Sequence, residues 1–442
     1  MKIIKTSHSL FIAICIIAIS LTGCVNQQTK TSDISITDSH TQKIDSSIWT
    51  KREIAILNSL SINQRVIKND KTNRVANHPD AIKLGQKLFF DTRLSENGNV
   101  SCATCHDPNK YFTDGLARSQ GFGQTQRNAP TIVGASNDVW FFRDGREDSL
   151  WSQATNPIEN PMEHRSSRNQ FAHLIFNDVD LKNNYEKIFG PMPNISDTSR
   201  FPENAGPIPV KRLINAWKKM DERDREIING IFVNGAKAIA AYETQLQPAP
   251  SRFDNYVDAM TQNKAINQKD SLSSTEIAGL KIFIDKGKCF ICHNGSMFTD
   301  QSFHNIGTPP LNVKRYDFGR SKAVRRVKKN KFNCLSKYSD AMDKSCDELK
   351  YMVFHEEDTL GAFKTPGLRN VTKTAPYMHA GQYKSLRDVL KHYNEPPPTK
   401  IGMNKLFEID LTKEELDQLE AFLKSLDSPI DAKTDLLKAV KK

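Results

Sequence analysis

Apolar residues recur at helical spacing in short blocks along most of the chain, and polar or proline-rich stretches separate the blocks. Gly85-Gln86-Lys87-Leu88-Phe89 and Gly279-Leu280-Lys281-Ile282-Phe283 form a weak internal repeat, each half reading as an amphipathic helix. The second copy carries a capping box, Ser273 with Glu276. Between them, Lys211 to Leu246 reads mostly as helix, with a break expected near Gly230 and an end at Pro248-Ala249-Pro250. Downstream, Leu386, Val389, Leu390 and Tyr393 share one helical face. After Pro396-Pro397-Pro398, a last helix is predicted from the box at Thr412-Lys413-Glu414-Glu415 to about Leu426. Strand signals are few, so the pattern predicts a mainly helical protein.

The start of the chain departs from this pattern. Lys2 and Lys5 precede an apolar run, Leu10 to Leu21, too short to span a bilayer as a mature helix. It reads as a secretory signal. Leu21-Thr22-Gly23-Cys24 resembles a bacterial lipobox, which would make Cys24 the lipidated first residue of the mature protein. An ordinary cleaved signal is the alternative. The polar residues that follow read as a flexible tether. Export and lipidation together imply a periplasmic or cell-envelope location, with membrane contact through the anchor.

The decisive chemistry lies in Cys102-Ala103-Thr104-Cys105-His106 and Cys289-Phe290-Ile291-Cys292-His293. Cys-x-x-Cys-His is the attachment signal of a covalent c-type haem. The two thiols add across the haem vinyl groups, and the next His lies under the iron. Each motif follows one copy of the repeat, so we expect two cytochrome c-like helical lobes, each binding one covalent haem. The expected division is signal 1–23, lipidated tether 24–48, first haem lobe 49–250, second haem lobe 251–427 and basic tail 428–442. Cys334 and Cys346 are the remaining pair. In an oxidising compartment they suggest a disulfide, with two free thiols as the alternative.

Charge adds little to fold class. The formal net charge is +11, before any haem propionates. A dense basic stretch, Lys314 to Lys331, reads as a solvated loop or as a docking face for an acidic redox partner or anionic lipid. Nothing resembles a nucleic-acid-binding motif.

Several further stretches carry a resemblance. They are Arg127-Asn128-Ala129-Pro130-Thr131, Phe142-Arg143-Asp144-Gly145-Arg146, Phe303-His304-Asn305-Ile306-Gly307, Lys364-Thr365-Pro366-Gly367-Leu368-Arg369-Asn370 and Thr374-Ala375-Pro376-Tyr377-Met378-His379. From about Leu84 to Leu426 the chain resembles the bacterial dihaem cytochrome c peroxidase family, including the methylamine-utilisation enzymes that oxidise tryptophan in a partner protein. The resemblance implies an oxidoreductase acting on hydrogen peroxide. It places Gln153 and Glu163 over the first haem, ten and twenty residues after Arg143. Glu163 would shuttle the peroxide protons, and Gln153 would orient the oxygens. It also implies a calcium ion on the Asn128 side chain and the Thr374 and Pro376 carbonyls, oxygen donors suited to a hard cation; loop packing without metal is the alternative.

Three departures matter. The family's removable distal His falls here at Gln120, which implies a five-coordinate first haem unless another His, such as His164, folds back. The family's Met ligand to the second haem falls at Tyr393, as in the tryptophan-oxidising relatives. Met378, Met352, His355 and His392 are competing ligands. The family's inter-haem Trp falls at Arg143, with Trp140, Phe141 and Trp151 nearby. The reading is a dihaem peroxidase taking electrons from a small cytochrome c or cupredoxin. A tryptophan-oxidising enzyme acting on a protein substrate is the alternative. A non-catalytic dihaem electron carrier is the rival of another class. A homodimer is compatible with the sequence.

Overall fold

A computed structural model of the protein describes residues 41–65, 70–312, 315–341, 346–352 and 354–440. The proposed signal and Cys24 lie outside the described residues. The remainder is mainly helical; among the described residues, strands occur only as short antiparallel pairs. No described helix is long and apolar enough to cross a membrane.

Two hydrophobic cores organise the helices. The first gathers Leu84, Leu88 and Phe89 with Trp151, Phe171, Phe232 and Tyr242. The second gathers Phe253, Phe283 and Phe298 with Leu419 and Phe422. The internal repeat explains how each is built. Helix Pro79–Phe90 crosses helix Glu222–Glu243, and helix Ser274–Ile284 crosses helix Lys413–Lys424. Both crossings bring backbones together at the repeated glycine. A Cβ on Gly85 would lie 1.9 Å from the Ala238 carbonyl oxygen, and one on Gly279 would lie 1.9 Å from that of Gln418. No side chain fits there, so the repeat is a steric requirement for helix contact. We expect Gly279→Ala to force the helices apart and cost about 1–3 kcal/mol or more. The checks are the thermal midpoint and the haem content of the second site; an unchanged midpoint would contradict the crossing.

The chain ends interleave the lobes. Trp49, Leu57 and Leu60, expected with the first lobe, belong to the second core. The pairing of Thr41–Lys43 with Ala265–Asn267 fixes this side, so order starts before residue 48 of the predicted tether. The basic tail is likewise docked: Ile430–Asp431 pairs with Gln247–Pro248, and Leu436 is buried in the first core. Its carbonyl accepts the Tyr242 hydroxyl at 2.8 Å. The expected helix break moves from Gly230 to Met220–Asp221. Asp221 caps helix Glu222–Glu243 by accepting from Arg223 N at 2.8 Å, whereas a Cβ on Gly230 would meet nothing within 4 Å and the helix runs through it. Cys334 and Cys346 form the disulfide, with Cα atoms 5.9 Å apart.

Candidate haem sites

Both Cys-x-x-Cys-His motifs sit on short helical turns, and each histidine is oriented the same way. His106 Nδ1 bonds the Phe112 carbonyl at 3.1 Å, and His293 Nδ1 bonds the Phe298 carbonyl at 3.0 Å. With Nδ1 engaged, Nε2 is the nitrogen left for a metal. Burial pushes both imidazoles down, favouring the neutral ring that ligates iron. Phe112 and Phe298 both adopt left-handed backbone, at φ 56° each, which turns their carbonyls towards the rings. Sequence reasoning missed these residues. Their signal is the recurrence of Phe-Thr-Asp, at 112–114 and 298–300, after each motif.

A cavity of about 830 Å³ opens at the first motif. Cys105, His106, Gln153, Pro157 and Glu163 line it, so the two residues expected over the first haem share a wall with its proximal His. Gln153 and Pro157 lie on helix Leu150–Glu159, whose last turn holds the chain beyond it. Glu163 N donates to Asn160 O at 3.0 Å, and Asn160 Nδ2 donates to Glu163 Oε1 at 2.5 Å. Burial pushes the Glu163 carboxyl up, while the Arg146 charge and the Asn160 hydrogen bond oppose that rise. The loop around Gly121 presses on the same backbone: Phe122 N donates to Glu163 O at 2.7 Å, and a Gly121 Cβ would lie 2.8 Å from Glu163 Cα. Asn160 and the Gly121 loop thus position Glu163, and no sequence pattern pointed to them.

Gln120 is exposed in that same loop and is not part of the cavity wall. His164 is buried, its Nδ1 bonds the Pro157 carbonyl at 3.2 Å, and it too lies outside the wall. Trp140 packs under the disulfide with Val327 and Leu349, and Trp151 lies in the first core, so neither lines the cavity; Phe141, Phe142 and Arg143 do.

Around the second motif, Tyr393 lies near Cys289 and Cys292, and burial pushes its phenol above the ordinary range. Two of the competing ligands are otherwise engaged. His392 bonds the Ile306 carbonyl through Nε2 at 2.7 Å and the Tyr383 hydroxyl through Nδ1 at 3.0 Å. Met352 Sδ accepts from Arg320 at 2.9 Å, and His355 is exposed. Arg369 braces the neighbouring loop: it pairs with buried Asp254 at 2.7 Å and donates to Ser296 O at 2.6 Å. Cys292, Asp300 and His304 cluster like metal ligands, but Cys292 is one of the thiols expected to attach haem; His304 pairs with Asp300 at 2.8 Å.

The expected calcium set does not fit a divalent cation. Asn128 Nδ2 donates to the Pro376 carbonyl at 2.9 Å, and Asn128 Oδ1 accepts from Arg143 Nη2 at 3.0 Å. Two of the three expected ligand oxygens already accept from protein donors, one of which is itself a cation.

Two such histidines, each behind a thiol pair in its own helical core, define a dihaem c-type cytochrome. Residues 79–262 match the family model of the di-haem cytochrome c peroxidases. The chain is 29% identical to the methylamine utilization protein MauG of Methylorubrum extorquens, across 93% of this chain and 92% of that protein. It is 29% identical to the cytochrome c551 peroxidase of Pseudomonas aeruginosa, across 78% of each. The fold matches the diheme peroxidase BthA of Burkholderia thailandensis with a TM-score of 0.59 and 21% identity, covering 87% of this chain and 93% of that one. By sequence and fold the chain is thus similar to the di-haem cytochrome c peroxidases, the family model matching residues 79–262. It is an oxidoreductase with two c-type haems.

Proposed function

We propose that the protein reduces hydrogen peroxide at its first haem, with electrons arriving through the second. The observation that carries this reading is the shared cavity wall of His106, Gln153 and Glu163. When bound, haem supplies the iron and the electrons that break the O–O bond. The chain's own part is proton handling. Oε1 of Glu163 is held by Asn160, which leaves Oε2 to take a proton from incoming peroxide and return it to the oxygen that departs as water. The Gln153 amide orients the oxygens. His106 and His293 would each hold one haem iron, and Tyr393 would supply a further ligand to the second. Exposed Lys322, Arg325, Arg326, Lys328 and Lys329 on helix Arg320–Lys329 suit an acidic donor such as a small cytochrome or cupredoxin. The disulfide and the Leu10–Cys24 segment support an exported, lipid-anchored protein in the periplasm. Calcium is not part of this reading.

The test is the EPR spectrum of the ferric holoprotein, combined with stopped-flow mixing with peroxide. One high-spin and one low-spin signal with a rapid peroxide reaction is expected. Two low-spin six-coordinate haems that ignore peroxide would reduce the protein to an electron carrier.

Tyr393 also favours a second reading, peroxide-driven oxidation of tryptophan in a partner protein. Mass spectrometry of co-expressed neighbours distinguishes it. Peroxide-dependent oxygen gain on tryptophan supports it, and unmodified partners with fast turnover of a reduced cytochrome remove it.

A further inference from the structure

Asn128 and Pro376 bring neutral oxygens from both haem lobes to one place, where the chain provides its own positive charge. Arg143 follows the left-handed residue Phe142, at φ 64°, and its guanidinium reaches back to Asn128 Oδ1 at 3.0 Å. A guanidinium only donates, so it fixes the Asn128 amide with oxygen towards Arg143 and nitrogen towards the Pro376 carbonyl. The Arg143 carbonyl in turn accepts from Lys364 N at 2.8 Å, and Asn128 N donates to His379 O at 3.3 Å. One arginine thereby ties loops of the first lobe to loops of the second.

Charge balance excludes a second cation. Calcium favours several oxygen ligands, usually with carboxylates among them. The carboxylates nearby are taken: Asp144 by Arg127 and Arg146, Asp317 by Arg127, and Asp138 by Lys364 at 3.0 Å. A divalent ion on Asn128 Oδ1 would lie directly against a buried guanidinium, like charge against like charge. Burial and the Arg127 charge push Arg143 down only to about 10, so it stays charged at neutral pH.

We infer that Arg143 is the resident cation of this inter-lobe site, holding Asn128 and Pro376 in place of calcium and making the protein indifferent to that metal. The inference concerns assembly of the lobes and stands whether or not the peroxidase reading holds.

The test uses the purified holoprotein. Metal content is measured by mass spectrometry, and thermal melting is followed through the haem Soret band in EGTA and in millimolar calcium chloride. The wild type is expected to carry far less than one calcium per chain and to melt identically in both. Arg143→Gln, which removes the charge and keeps a polar side chain, is expected to gain a midpoint that rises with calcium. Arg143→Lys, which keeps a charge, is expected to remain calcium-indifferent. Stoichiometric calcium in the wild type, or a midpoint that falls in EGTA, overturns the inference. So does an Arg143→Gln protein that folds and ignores calcium. Should that variant not fold, the wild-type metal content and melts still decide.

Discussion

Glu163→Gln is expected to slow peroxide reduction about 10²–10⁴-fold while leaving the haem absorption and EPR spectra of the resting protein unchanged. The substitution keeps the side-chain shape and its contact with Asn160, and removes only the capacity to exchange a proton at Oε2. The pH profile gives a second, independent readout. As a base, Glu163 acts in its ionised form, so activity falls as pH drops through its pKa. Burial raises that pKa above the ordinary 4.5, and the acid limb should therefore lie above the pH expected of an exposed glutamate. Asn160 donates to the charged carboxylate and favours it, so Asn160→Ala should move the limb further upward. Stopped-flow rates over a pH series check both expectations. A Glu163→Gln protein that keeps the wild-type rate, or the same acid limb, would remove the carboxylate from the mechanism.

What the chain reveals before folding follows from how local the cause is. Haem attachment demands two thiols and a histidine within five residues, so both sites are legible at once. The repeated glycines are legible as a pattern, but their meaning, two helix backbones too close for a Cβ, appears only when Ala238 and Gln418 arrive from far along the chain. The Phe-Thr-Asp recurrence lies between these cases: it is visible in the sequence, and its role in aiming His106 and His293 needs the left-handed turns at Phe112 and Phe298. The termini are the opposite case. Trp49 donates to the Tyr256 hydroxyl at 2.9 Å and Leu436 is held by Tyr242, contacts spanning about two hundred residues that leave no periodic trace nearby. The helix break shows local propensity losing to packing. Gly230 is a poor helix former in a long helix whose other faces are buried, while Asp221 supplies the cap that starts it. The calcium expectation at Asn128 follows from the family resemblance and the oxygen donors at the matching positions. The missing term was the neighbouring cation, because residue type without geometry does not show which side chain turns back onto the loop.

The second haem offers the other large effect. Tyr393→Phe is expected to abolish the distal bond of that haem and convert its ferric EPR signal, leaving the first haem unaltered. Tyr393→Met should restore six-coordination with a different character. A phenolate stabilises ferric iron and a thioether stabilises ferrous iron, so the reduction potential should rise, by roughly 0.1 V or more given the wide range that axial ligands control. The phenol is buried and its proton is held tightly by that burial, so only coordination to the metal would release it. This gives the ligand a distinct signature: the charge-transfer band of a phenolate should vanish in both variants. The donor should also discriminate. A high-potential second haem accepts electrons readily from a small cytochrome, whereas the phenolate-ligated one resists reduction, so Tyr393→Met should speed reduction by that donor. Redox titration with EPR at each potential measures both. If Tyr393→Phe keeps the wild-type spectrum, the ligand lies elsewhere. His392 is committed to Ile306 and Tyr383 and Met352 to Arg320, so the search would then move to Met378.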